Sequence, residues 1–114
     1  MISREKLLSQ TAARYVDKVV FGETYRIRSL SERDRTEYEV KLQDKKAGMS
    51  FDKARALLIC RVLVDSENSR LLSDDDVAAV GLIDGRIASA LYAVALEHNG
   101  FDESDIKDLV KNSE

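Results

Sequence analysis

The chain has 114 residues, of which 44% are hydrophobic and 34% charged, a balance that is typical of one globular domain and excludes an intrinsically disordered protein. It contains no run of about 18 apolar residues to span a bilayer, and its first ten residues, MISREKLLSQ, lack the apolar block of a signal peptide. The single cysteine, Cys60, excludes an internal disulfide, and we expect a cytoplasmic protein that is not bound to a membrane.

The net charge of −3 is unevenly distributed along the chain. Residues 1–64 contain 14 Lys and Arg against 9 Asp and Glu, a balance of +5, whereas residues 65–114 contain 4 against 12, a balance of −8. The acids of the second half are explained either as helix caps or as the acidic side of a polar molecule that pairs with the basic side of a neighbour. The second interpretation predicts a homo-oligomer. Because the basic residues alternate with acids and form no stripe, we expect no nucleic-acid partner.

The first predicted element is an N-terminal helix over residues 3–16. Residues that suit one helix face recur there at helical spacing: Leu8, Thr11, Ala12, Tyr15 and Val16. The polar face is sparse, and the alternative is an arm that becomes ordered on a partner. We therefore expect a single domain over residues 1–114, with residues 1–17 as a helical or flexible arm.

The next segment, KVVFGETYRIRSL, predicts a β-hairpin. Two β-prone runs, Lys18–Phe21 and Thr24–Arg28, flank the dipeptide Gly22-Glu23, and glycine at the first loop position suits a type II′ turn. This register places Val20 opposite Tyr25. An isolated hairpin is marginal in water, so it must pack on helices or be extended by another chain.

This requirement predicts a partner-binding surface, because so small a chain cannot bury both faces of the hairpin. The surface is formed by residues of the hairpin, Val19, Phe21, Tyr25 and Ile27, or by the apolar stripe of the N-terminal segment, which includes Leu8 and Tyr15.

A charge-dense helix follows the hairpin. Ser31 is the predicted N-cap, Tyr38 and Leu42 form the apolar face, and Glu37 and Lys41 form an i,i+4 ion pair. We interpret the charges as a solvated helix surface, with a binding face as the alternative. The run from Ala54 to Val64 is apolar nearly all round and predicts a buried helix, whose β-branched end becomes extended. Cys60 lies within this run and is predicted to be a core residue.

The segment SDDDVAAVGLI predicts a short helix capped by Ser73. The three acids after it suit the first turn of a helix, whereas a calcium loop needs alternate spacing, a glycine and a distal glutamate. A long amphipathic helix then runs from Asp84 to Asn99 and is closed by Gly100. A last short helix begins near Asp102, with its apolar residues inward: Ile106, Leu109 and Val110.

No residues are arranged for catalysis. His98 is the only histidine, and it has neither a nucleophile nor a second metal ligand near it in sequence, so we expect it to be structural. The five glycines are scattered singly and form no phosphate-binding loop. We therefore predict a binding protein without enzymatic activity, cofactor or metal. Its predicted fold is mainly α (α+β): a small helical domain with one N-terminal β-hairpin.

The order of these elements resembles that of the tail assembly chaperones of long-tailed bacteriophages and prophages. The segments that carry the resemblance span about residues 18–112: Arg28–Leu30, Ser31–Asp34, Val64–Asp65, Leu72–Val80, Ile87–Gly100 and Asp102–Asn112. The resemblance implies a chaperone that binds the tape measure protein, helps recruit tail tube subunits and is absent from the finished virion. It also implies a longer form made by ribosomal frameshifting, for which codons at Val110, Lys111 and Asn112 allow a slippery spelling. The alternatives are a head–tail connector or other small virion protein and, less favoured, a DNA-binding regulator.

Overall fold

The computed structural model describes residues 1–111, so the predicted helix end and slippery codon at Asn112 lie outside the described residues. The helices are α1 (Arg4–Leu8), α2 (Glu32–Leu42), α3 (Phe51–Val62), α4 (Val77–Val80), α5 (Gly85–Asn99) and α6 (Glu103–Lys111). The strands are β1 (Tyr15–Val20), β2 (Glu23–Arg28) and β3 (Leu63–Val64), and single 3-10 turns cover Lys45–Ala47 and Asp74–Asp76. The predicted mainly helical fold with an N-terminal hairpin is confirmed.

The three strands form an antiparallel sheet in the order β1-β2-β3. The third strand arises where α3 ends, because Leu63 leaves the helix with extended backbone angles and pairs with Ile27. The expected extended end of the buried helix is therefore confirmed. Pairing with β3 and packing on α5 give the hairpin the support that two strands alone lack.

The predicted hairpin register is wrong by two residues. Val20 pairs with Glu23 and Lys18 pairs with Tyr25, so the two-residue loop is Phe21-Gly22. Both loop residues have positive φ, 50° for Phe21 and 79° for Gly22, as a type I′ turn requires. This turn matches the right-handed twist of the strands as well as a type II′ turn does, so the glycine alone could not fix the register.

The helix predicted over residues 3–16 is also wrong beyond Leu8. Only α1, a single helical turn capped by Ser3, forms in this region, and Tyr15 and Val16 belong to β1. Strand pairing overrides the weak helical pattern, because Val16 pairs with Ile27 and packs against the core. Residues 1–15 are all exposed.

The core surrounds α3, eight of whose twelve residues are buried. Tyr38 and Leu42 of α2 are fully buried as predicted, and the Tyr38 hydroxyl donates a 2.7 Å hydrogen bond to the Ala54 carbonyl. Cys60 is likewise fully buried, and burial raises the pKa of its thiol to about 11. This thiol is therefore protonated and shielded, as expected of a core residue.

The helix caps follow the sequence closely. Ser31 accepts a hydrogen bond from the backbone of Asp34, and Ser73 and Asp76 form a reciprocal capping box. Gly100 ends α5 with a φ of 65°. Among residues 1–111, no helix is both long and apolar enough to cross a bilayer.

Candidate partner-binding surfaces

The hairpin turn presents an aromatic side chain to solvent. Phe21 is 64% exposed although its φ of 50° is a backbone conformation that bulky residues rarely adopt. Type I′ turns favour asparagine or glycine at this position. The phenylalanine therefore costs the free chain local strain that no burial offsets.

Tyr15 and Val19, two further residues of the predicted surface, lie on the face of the sheet that points away from α5. Val16 and Ile27 face α5, and because side chains alternate along a strand, Tyr15, Asp17 and Val19 point outward. Tyr15 and Val19 are 42% and 61% exposed. We call Tyr15, Val19 and Phe21 the hairpin patch.

An ion pair lies at the middle of the hairpin patch. Asp17 accepts two hydrogen bonds from Arg26 on the neighbouring strand, of 2.8 and 3.2 Å. These bonds, with the charge of the guanidinium, hold the pKa of the Asp17 carboxyl below its usual value. The pair fixes the register of the outer face and divides its apolar surface into two parts.

The structure separates the remaining predicted residues from the hairpin patch. The expected exposure of Ile27 is wrong, because it points toward α5 and is fully buried. Tyr25 is half-buried on the same inner face. Leu8 is 57% exposed but lies on α1, which is joined to β1 by residues 9–14.

A second apolar surface was not predicted from the sequence. An open groove of about 270 Å³ lies where the sheet meets α3, α4 and α5. Its lining is apolar except for Asp76 and includes Tyr25, Leu63, Leu71, Val80, Ile83, Ile87 and Leu91. We call it the α4–α5 groove. Helical periodicity predicts an amphipathic helix that includes Ile87 and Leu91, but the concave surface forms only because α4 packs beside these residues.

The charged residues of α2 take part in a network centred on Asp74. The Asp74 carboxylate accepts hydrogen bonds from Lys41 at 2.6 Å, from Arg61 at 2.8 and 2.9 Å, and from Arg70 at 3.0 Å. The predicted pair of Glu37 with Lys41 is wrong: Lys41 turns to Asp74, and Glu37 lies 3.4 Å from Arg61. The Arg61 side chain is only 7% exposed, so it requires these partners.

This network lowers the pKa of Asp74 well below its usual range. Burial alone would raise it, but the hydrogen bonds from the three basic side chains outweigh that effect. Asp74 thus stays ionised and joins α2 and α3 to the loop before α4. Across the part of the chain that the structure describes, no three His, Cys, Asp or Glu side chains are grouped to hold a metal ion.

The hairpin patch and the α4–α5 groove are both apolar surfaces that are open to solvent. A family model described as phage tail assembly chaperone matches residues 10–112, which is nearly the whole chain. Among curated proteins and solved structures, none matches the chain significantly.

Proposed function

The chain belongs to the phage tail assembly chaperone family, and from this membership we propose that it binds the tape measure protein and helps recruit tail tube subunits to it. A role in phage tail assembly follows from the family, and a chaperone family indicates a non-enzymatic role. We further propose that the protein acts as a homo-oligomer in the cytoplasm of the bacterial host and is left out of the finished virion.

The observation that carries this proposal is the exposed Phe21. Its positive φ is unfavourable and its ring is open to solvent, so neither local conformation nor burial accounts for an aromatic residue here. Aromatic side chains are preferred anchors of protein interfaces, because they bury much apolar area with few rotatable bonds. Phe21 is thus suited to insert into an apolar segment of a partner.

Its neighbours support the same interpretation. Val19 and Tyr15 continue the apolar surface along β1, which is an edge strand of the sheet. An edge strand has unpaired backbone groups that can bind an extended segment of another chain. In the proposed complex, the hairpin patch covers apolar segments of the tape measure protein before the tail tube encloses them.

The test compares two exposed apolar residues. Phe21→Asn removes the aromatic ring and introduces a residue that the turn favours, whereas Val40→Gln changes a residue of α2 that is 60% exposed. We expect Phe21→Asn to weaken binding of the tape measure protein of the same phage at least about tenfold, as for an interface anchor. Val40→Gln should bind like the parent chain.

The measurement is the amount of tape measure protein that stays in solution and co-purifies with each variant after coexpression. Unfolding experiments on the same variants separate binding from stability, because Phe21→Asn is not expected to destabilise the fold. If Phe21→Asn binds the tape measure protein as well as the parent chain does, the hairpin patch is not the binding surface. Recruitment of tube subunits is tested by adding tail tube protein to the purified complex, where we expect it to be retained only when the chaperone is present.

A further inference from the structure

The N-terminal arm, residues 1–13, has no buried residue that would stabilise it. Its helix α1 has five residues, none of them buried, and its leucines, Leu7 and Leu8, are each 57% exposed. Its backbone hydrogen bonds stay within residues 3–11. Helices this short are marginal in water unless an apolar face packs against another surface. The arm therefore lacks the contact that would stabilise it.

The α4–α5 groove exposes apolar side chains to solvent at its mouth. Leu71 and Ile83 at its mouth are 55% and 41% exposed, and the adjacent Leu82 is 88% exposed. An apolar cavity of about 150 Å³ is enough to bind benzene. A groove of about 270 Å³ therefore has room for a pair of aliphatic side chains.

The charges of the two elements are opposite. Beside its leucines the arm carries Arg4 and Lys6, with Glu5 as its one acid. The groove has Asp76 in its lining, and Asp75 and Asp84 are the chain neighbours of lining residues. The basic chain neighbours of lining residues are Arg26, Arg70 and Arg86, of which Arg26 is paired with Asp17 and Arg70 with Asp74. Outside these two ion pairs the rim has three acids and one base, a balance of −2, so contacts between it and the arm are attractive at short range.

We propose that the arm of one copy of this chain binds in the α4–α5 groove of a second copy, with Leu7 and Leu8 inserted between α4 and α5. This inference rests on the homo-oligomer of the proposed function and names the surfaces that form it. It accounts for the exposed leucines of the arm and for the open groove by one contact.

The root of the arm is held near the end of α5 that lies opposite to the groove. The Arg14 backbone N–H donates to the Ser29 hydroxyl at 2.8 Å, and the Arg14 carbonyl lies 2.9 Å from Nε2 of His98. His98 is in the last turn of α5, whereas the residues of α5 that line the groove, Ile87 and Leu91, lie about 10 to 16 Å away along the helix at 1.5 Å per residue. The radius of gyration, 14.8 Å, exceeds the about 13 Å of a compact chain of this length, as a projecting arm requires.

The experiment uses the full-length chain and two matched variants. The arm variant is Leu7→Ser with Leu8→Ser, and the groove variant is Leu71→Ser, chosen because the side chains are exposed in the free chain and the fold should survive. Val40→Gln is the control, an exposed apolar residue that belongs to neither surface. Sedimentation equilibrium measures association over a range of protein concentrations, without tape measure protein. Circular dichroism checks that each variant is folded.

We expect the parent chain and the control to associate equally, and each of the two variants to associate at least about tenfold more weakly, because apolar burial is lost. A mixture of the two variants should recover heterodimers, since one copy retains an intact groove and the other an intact arm. A charge test is independent: Lys6→Glu should weaken association, and Asp75→Lys in the same chain should restore part of it.

Several results would overturn the inference. A parent chain that stays monomeric at all concentrations means that the arm is free or closes on its own groove. Unchanged association of the arm variant, or a mixture that fails to recover heterodimers, means that other surfaces join the copies. Loss of tape measure binding in Phe21→Asn with unchanged self-association would leave this inference intact, so the two proposals fail separately.

Discussion

Asp74 accepts hydrogen bonds from three basic side chains, one of which is the nearly buried Arg61. Its position in the first turn after Ser73 suits a helix cap, but Asp76 makes the reciprocal capping contact, and Asp74 instead receives Lys41, Arg61 and Arg70. The burial of Arg61 makes the carboxylate necessary, because an unpaired guanidinium at 7% exposure would be strongly destabilising.

Replacing this carboxylate tests its role. Asp74→Asn should lower the free energy of unfolding at pH 7 by about 2 kcal/mol, since it leaves the nearly buried Arg61 with only Glu37 as an acidic partner. Urea denaturation measures the difference. Asp75→Asn, at an exposed neighbouring acid, is the control and should change stability little.

The effect should depend on pH in a defined direction. Because the pKa of Asp74 is lower in the folded chain than its ordinary value of 3.8, its ionisation stabilises the fold above that value, and this stabilisation is lost as the pH falls toward the folded pKa. The difference between Asp74→Asn and the parent chain should therefore shrink between about pH 5 and about pH 2. If the difference in unfolding free energy between the two chains stays constant over this range, the stabilising effect of Asp74 comes from packing and not from its charge.

At the scale of the elements, the hairpin turn contains a residue, Phe21, that is unfavourable for the positive φ it adopts. Gly22 has a φ of 79°, and a Cβ added there would meet no other atom within 4 Å, so its replacement would act through backbone strain alone. Phe21 adopts a similar φ at a cost. The turn thus has one residue that suits the fold and one that we have assigned to binding.

Two substitutions in this turn should have opposite effects. Gly22→Ala should lower the free energy of unfolding by about 1 kcal/mol, because alanine disfavours positive φ. Phe21→Asn should raise it by about 0.5 kcal/mol, because asparagine tolerates that region. Thermal denaturation followed by circular dichroism measures both. A stability loss in Phe21→Asn would show that the ring packs against the fold.

The N-terminal arm should be the first element that a protease attacks. Residues 1–15 are exposed and α1 contributes nothing to the core, so trypsin should cleave after Arg4, Lys6 or Arg14 before it cuts the body. Mass spectrometry of the early products identifies the sites. First cleavage within α3 or α5 would contradict the expectation that these core helices open less readily than the exposed arm.

The elements differ in how far their sequence determines them. The amphipathic α5 and the apolar α3 followed directly from periodicity, because burial of a continuous face leaves little choice of structure. The hairpin register did not follow from the sequence, since two dipeptides that contain Gly22 make plausible two-residue loops and no local pattern distinguishes them. The burial of Ile27 did not follow either, because the sequence of the hairpin does not show which of its faces packs on α5. The α4–α5 groove depends on how distant segments pack, and no local pattern carries that information.

At the scale of the whole molecule, the fold brings the basic and acidic parts of the sequence into contact. Lys41 and Arg61 of the basic part pair with Asp74 of the acidic part, and Arg35 contacts the backbone of Asn99 and the ring of Phe101. Part of the charge asymmetry is therefore satisfied within one chain. The remaining acids near the groove and the basic residues of the arm are available for contacts between copies.

The proposed role also makes a prediction about the phage particle. A tail assembly chaperone that releases its partners should be missing from purified virions, whereas a head–tail connector would be present in a fixed copy number. Quantitative mass spectrometry of virions and of infected-cell lysate distinguishes these outcomes. Detection of this chain in virions at levels comparable with tail proteins would favour the structural alternative.

The attachment of the arm at Arg14 has a mechanical consequence. Tension on the arm would enter the fold through Arg14, whose backbone is held by Ser29 at the end of the hairpin and lies beside His98 at the end of α5. The contacts of Arg14 with Ser29 and His98 would then bear the load before the first pair of β1 and β2, which is Tyr15 with Arg28. In the proposed assembly of copies joined by their arms, these contacts are therefore the first to break under tension, before the sheet or α5 unfolds.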